Sequence, residues 1–91
     1  MRLRLGPGDD VTALVRTAMA DSLVVLVSPE LDSLAMAWAR AAIGPLAIEL
    51  APATRLNAVL PGAGADPAAV EAAISFLESA RSTTGQLLAV S

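Results

Sequence analysis

The sequence predicts an α/β fold, a small parallel four-stranded sheet with crossover helices, in a single domain over residues 1–91. Three observations lead there. Strand-like and helix-like segments alternate along the whole chain, the order that builds parallel sheets. Leu23–Val27 and Leu56–Leu60 are near-continuous apolar runs, as strands buried on both faces are. Ser28-Pro29 and Asp66-Pro67 place a capping side chain before a proline, a pairing that marks helix starts.

Met1–Leu5 alternates leucine with arginine, which suits a short edge strand with one solvated face. Gly6-Pro7-Gly8 breaks it. Asp9 or Asp10 then offers a carboxylate to a helix running to about Ala20, with Val11, Leu14, Val15, Ala18 and Met19 at helical spacing. The glycines do not make a phosphate-binding turn. The fingerprint G-x-G-x-x-G would need a third glycine where Val11 stands, and two aspartates would repel phosphate.

Asp21-Ser22 turns into the strand Leu23–Val27. A long helix is expected from Ser28 as cap, with an apolar stripe of Leu31, Leu34, Ala35, Trp38, Ala42, Ile43, Leu46 and Leu50. Pro45 inside it removes one backbone hydrogen bond and should kink it. Asp32 falls in the first turn, where a negative charge suits the helix dipole. Arg55–Leu60 is the next strand, and Pro61–Gly64 a loop. The last helix starts at Asp66-Pro67 and carries Val70, Ile74 and Leu77 on one face. Ser82–Gly85 turns into a final strand, Gln86–Val90.

Composition narrows the function classes. The chain is 55% hydrophobic and 16% charged, with mean hydropathy +0.63. That is more apolar than the roughly 45–50% of ordinary soluble domains. A chain this short leaves roughly a third of its unfolded surface exposed when folded, so the apolar excess points to packing against a partner. Charge-free runs such as Leu56–Ala65 are too short for a spanning helix. The charged, glycine-broken N-terminus is not a secretory signal, so a cytoplasmic location is expected. There is no cysteine, hence no disulfide or thiolate chemistry. Six arginines are scattered singly, without lysine, so nucleic acid is not an expected partner.

The stretch Leu46–Gly62, LAIELAPATRLNAVLPG, resembles the second half of a short-chain dehydrogenase/reductase, where "LA.ELAP..IRVNAV.PG" follows the catalytic residues. Phe76-Leu77, Ser79, Thr84-Gly85-Gln86 and Val90 resemble that family's final helix and strand. Ser22–Ser28 resembles its fifth strand, with Ser28 at the position of the catalytic serine. The resemblance implies a truncated Rossmann-like fold, the C-terminal half of such an enzyme. It also implies an unusual left-handed last crossover, which moves the final helix to the other sheet face; ordinary right-handed crossovers would leave all three helices on one face.

The same resemblance exposes what is missing. The family's Tyr-x-x-x-Lys pair would fall at Asp32 and Met36, counting back from Glu49, and the chain contains neither tyrosine nor lysine. The segment between serine and tyrosine has shrunk to Pro29-Glu30-Leu31. The glycine-rich cofactor loop has no counterpart. No catalytic residue, metal site or cofactor is therefore expected. Ser28, Pro61 and Gly62 stand as vestiges of the cofactor site. The expected function is a non-enzymatic module that self-associates through its helices and sheet face, as a homodimer or larger. Relatives assemble through the corresponding helices. Val15, Met19, Met36, Trp38 and Arg40 are the candidate contact residues, with an ordinary core position the other option for Trp38. The alternative is an accessory or regulatory subunit on a full-length dehydrogenase. A residual small-ligand or NAD(P)-binding enzyme, using Ser28 and Asp32, is the third possibility.

Overall fold

The computed structural model describes residues 1–91. The chain folds as β1 (Arg2–Leu5), α1 (Val11–Thr17), β2 (Ser22–Val27), α2 (Ser33–Leu50), β3 (Arg55–Pro61), α3 (Pro67–Ser79) and β4 (Leu87–Val90). The four strands form one parallel sheet in the order β1-β2-β3-β4. The expected fold class is thus the observed one.

Alternation along the strands sorts side chains into two layers. Leu5, Leu23, Val25, Val27, Leu56, Ala58 and Leu60 pack with Val11 and Val15 of α1 and with Ala39, Ile43, Leu46 and Ala47 of α2. On the other face, Val24 and Val59 pack with Ala73, Ile74 and Leu77 of α3. Strand order rises steadily while α3 lies opposite α1 and α2. The last crossover therefore has the opposite hand to the first two, as the resemblance implies. No helix is long and apolar enough to cross a membrane.

The helix starts follow from carboxylates on free backbone N–H groups. Asp10 Oδ1 accepts from Thr12 N–H (2.9 Å) and Ala13 N–H (3.3 Å). Asp9 instead closes the glycine turn, accepting from Gly6 N–H at 2.8 Å. Asp66 Oδ1 accepts from Ala68 N–H at 3.0 Å, ahead of Pro67.

Three expectations need correction. First, Ser28 does not cap α2. Its Oγ accepts from Glu30 N–H at 3.1 Å and closes a local turn, while Asp32 Oδ1 accepts from Ala35 N–H at 2.8 Å and caps the helix. A serine serves a turn as readily as a helix, and the carboxylate is the stronger acceptor. Second, α1 ends at Thr17, because Ala18 is already extended. Met19 therefore lies beyond the helix. Third, the buried stripe of α2 is rotated from the expected one. Ala39, Ile43, Leu46 and Ala47 face the sheet, whereas Leu34 and Trp38 are exposed. The two alanines allow the helix to sit close to β3, and Ile43 and Leu46 then fix its phase. The helix continues through Pro45, whose ring lies on the exposed side.

Asn57 is the one buried polar residue of the fold. Its Nδ2 donates to Thr83 C=O and its Oδ1 accepts from Gln86 N–H, both at 3.0 Å. Thr84 Oγ1 accepts from Leu56 N–H (3.0 Å), and Gly85 N–H donates to Leu56 C=O (2.7 Å). Gly85 has φ +78°, a conformation side chains disfavour. These bonds fasten the turn before β4 onto β3. Asn57→Leu keeps the branched four-atom side chain but leaves Thr83 C=O and Gln86 N–H without their partner. Each orphaned group costs about 1–3 kcal/mol. Urea unfolding of Asn57→Leu should show a loss of about 2–4 kcal/mol; a loss of a few tenths would mean that the turn holds without the side chain.

Candidate functional site

Ligands of open α/β sheets bind beyond the carboxyl ends of the strands. Ser28, Pro61 and Gly62 all stand there. Ser28 follows β2, and Pro61 closes β3. Gly62 N–H donates to Val90 C=O at 2.8 Å, and a Cβ on Gly62 would stand 3.6 Å from that same oxygen. The Pro-Gly pair therefore ends the β3–β4 pairing. Ser28 and Pro61 share a cleft of about 290 Å³ on the α3 side of the sheet, with Arg4, Leu26, Pro29 and Val70 on its walls. Gly62 lines an adjoining lobe of about 400 Å³ that shares Arg4, Leu26, Pro29, Pro61 and Val70.

Asp32 is not part of this crevice. It lines a separate cleft of about 310 Å³ between the N-termini of α1 and α2, with Leu31, Leu34 and Trp38. Ser28 and Asp32 thus do not share a cleft. Met36 is partly buried against the core. No group of three or more His, Cys, Asp or Glu residues is placed to hold a metal ion.

The candidate contact residues divide. Val15 is fully buried between α1 and the sheet, so it cannot meet a partner. Its spacing with Val11 was right for a helix face, and that face turned inward. Met36 also spends most of its surface on the core. Met19 is 89% exposed and Trp38 64% exposed, and Arg40 is exposed without an ion-pair partner. Trp38 is accordingly not a core residue. Leu34 and Ile48, each 78% exposed, join it on the outer face of α2. Sequence reasoning assigned Leu34 to the core and passed over Ile48. A signal was present: Leu34, Ala41 and Ile48 recur every seven residues.

Two ion-pair groups tie the helices to the rest. Arg16 on α1 grips Glu49 on α2 at 2.7 and 2.9 Å. Arg2 on β1 reaches across to α3, to Glu71 at 2.8 Å and to Glu78 at 3.0 and 3.1 Å. The hydrogen bonds from Arg16 hold the Glu49 carboxyl below the usual carboxylate range, and those from Arg2 do the same for Glu78. Both guanidinium groups are raised in turn.

A family model described as short-chain dehydrogenase-like protein matches residues 9–90. The chain belongs to the short-chain dehydrogenase-like family. No curated protein and no solved structure matches it. The match spans α1 through β4 and so includes the segments whose motifs carried the resemblance. Within it, Asp32 is a helix cap and Met36 packs partly against the core.

The ion pairs predict a pH dependence. Glu49 and Glu78 have folded values below their unfolded value of about 4.3. Their contribution is complete above that value and is lost as pH falls through the lower, folded values. The double variant Glu49→Gln/Glu78→Gln should unfold at lower urea than the wild type at neutral pH. The two midpoints should converge in acid, as pH falls through the lowered folded values. A gap that persists unchanged at low pH would show that the carboxylates act through packing, not charge.

Proposed function

We propose that this chain is a non-enzymatic, cytoplasmic member of its family that self-associates through the outer face of α2. One observation carries this. Leu34, Trp38, Ala41, Pro45 and Ile48 lie along α2 at intervals of four, three, four and three residues, and all five are exposed. An apolar 4-3-4-3 spacing is the seam of helices that pack against like helices. The seam is also close to symmetric about Ala41. In an antiparallel pair related by a two-fold axis at Ala41, Leu34 meets Ile48 of the second copy. Trp38 then meets Pro45, and the small Ala41 lets the helices approach. A C2 interface requires such self-complementarity. Trp38 and its neighbours would otherwise leave a contiguous apolar patch in water, a feature associated with interaction sites.

The accessory-subunit alternative rests on a different feature. Val24 N–H donates to Met1 C=O (3.0 Å) and Ser28 N–H to Leu5 C=O (2.9 Å). Alternation then turns the backbone groups of Arg2 and Arg4 to the free edge of β1. An open strand edge can pair with another chain, and a full-length dehydrogenase is a candidate to supply it. Co-purification of such an enzyme with the tagged chain favours this alternative. A residual enzyme is less well supported, since Ser28 and Asp32 line different clefts.

Sedimentation of the purified protein at micromolar concentration tests self-association. The expected result is a dimer or larger for the wild type. Truncating a central aromatic anchor costs about 2 kcal/mol or more, so Trp38→Ala should weaken the assembly strongly. Trp38→Glu with Ile48→Glu should give a monomer of unchanged helix content. A wild-type monomer at all concentrations would contradict the proposal.

A further inference from the structure

The crevice on the α3 side of the sheet has a property that neither self-association nor the family's chemistry uses. Much of its wall is apolar: Leu26, Val70 and Pro61 line both lobes, and Ile74 lines the larger one. One basic residue, Arg4, lines both lobes as well. The register pairs Arg4 with Leu26 and Arg2 with Val24, so Arg4 and Arg2 share a face of β1. Their electrostatic situations differ. Arg2 is neutralised by Glu71 and Glu78, whereas Arg4 makes no ion pair and no side-chain hydrogen bond. Glu71, the only carboxylate on the crevice wall, is occupied by Arg2.

We infer that this crevice binds a small monocarboxylate with an aliphatic tail, the carboxylate on Arg4 and the tail over Leu26, Val70 and Pro61. Charge complementarity sets the head group. A single unpaired guanidinium matches one carboxylate, through two parallel hydrogen bonds. The apolar walls set the tail, because a fully polar anion would leave Leu26 and Val70 uncovered without replacing their contact with water. Lobes of about 290 and 400 Å³ fall at the small end of ligand pockets, roughly 300–1,000 Å³. A carboxylate on Arg4 would not touch the outer face of α2, so the inference stands apart from self-association.

Octanoate is the probe, with octanol and inorganic phosphate as comparisons, followed through the backbone amide resonances of the labelled protein. The expected result is saturable shifts at Leu26, Gly62 and Val70 with octanoate and none with octanol at equal concentration. Arg4→Gln, which removes no intramolecular ion pair or side-chain hydrogen bond, should weaken octanoate at least about tenfold, the scale of a lost charged hydrogen bond. Arg81→Gln, a change at another exposed arginine, should leave it unaltered. Equal affinity for octanol, or for octanoate in Arg4→Gln, overturns the inference. So do shifts confined to Leu34 and Trp38, or phosphate displacing octanoate at equal concentration. Amide spectra of each variant alone report whether the fold is intact, so loss of binding and loss of structure are distinguished.

Discussion

The structure depends on one buried strand and the amide that locks its neighbour to it. β3 is paired on both edges and covered on both faces, by α2 on one side and α3 on the other. Asn57 sits within it with no exposed surface and both ends of its amide engaged. A buried amide is tolerable only when satisfied. The chain must therefore return to β3 with Thr83 C=O and Gln86 N–H in place. That requirement positions the turn, and the turn positions β4 after α3 has crossed the face opposite α2. These hydrogen bonds hold the end of the last crossover on β3. Arg55 reinforces them by donating to Ala80 C=O at the end of α3.

Several of the motifs that carry the family resemblance build this lock. Asn57 in RLNAVL and Thr84-Gly85-Gln86 bond to each other or to neighbouring backbone. Pro61-Gly62 ends the strand and bonds to Val90. Each therefore has a structural role that needs no cofactor. Asp32 and Met36 have structural roles as well, one as a helix cap and one packed partly against the core. A chain can belong to an enzyme family through its scaffold while its chemistry is set elsewhere, because function belongs to the site and not to the fold.

The fold was readable because its signals are local or periodic. Continuous apolar runs gave the inner strands, and Asp66-Pro67 gave the start of α3. The opposite-face crossover was readable only through family resemblance, since no residue pattern encodes which side a helix takes. The errors have a common physical origin. Ser28 and Asp32 both offer caps, and the sequence does not say which one the backbone uses. Apolar residues also occupy two faces of α2, and spacing does not say which meets the sheet, so Trp38 and Leu34 were expected inward although they face water. Val15 was placed on a partner-facing surface for a similar reason, as helical spacing identifies an apolar face without saying what covers it. Arg4 gained significance only from tertiary structure. Its alternation with Leu3 and Leu5 marks a solvated position, but the crevice beside it is made by β3 and α3.

The proposed pairing of α2 with a second copy is the central claim, and the absence of cysteine makes it directly measurable. Single-cysteine variants report which residues meet across a symmetry axis. Under mild oxidation, Ala41→Cys should form a disulfide-linked dimer quickly. Leu34→Cys alone should not, because its counterpart lies at the far end of the antiparallel helix. Mixing Leu34→Cys with Ile48→Cys should restore cross-linking. Rapid linkage of Leu34→Cys to itself, or no preference for Ala41→Cys, would contradict the proposed symmetric seam.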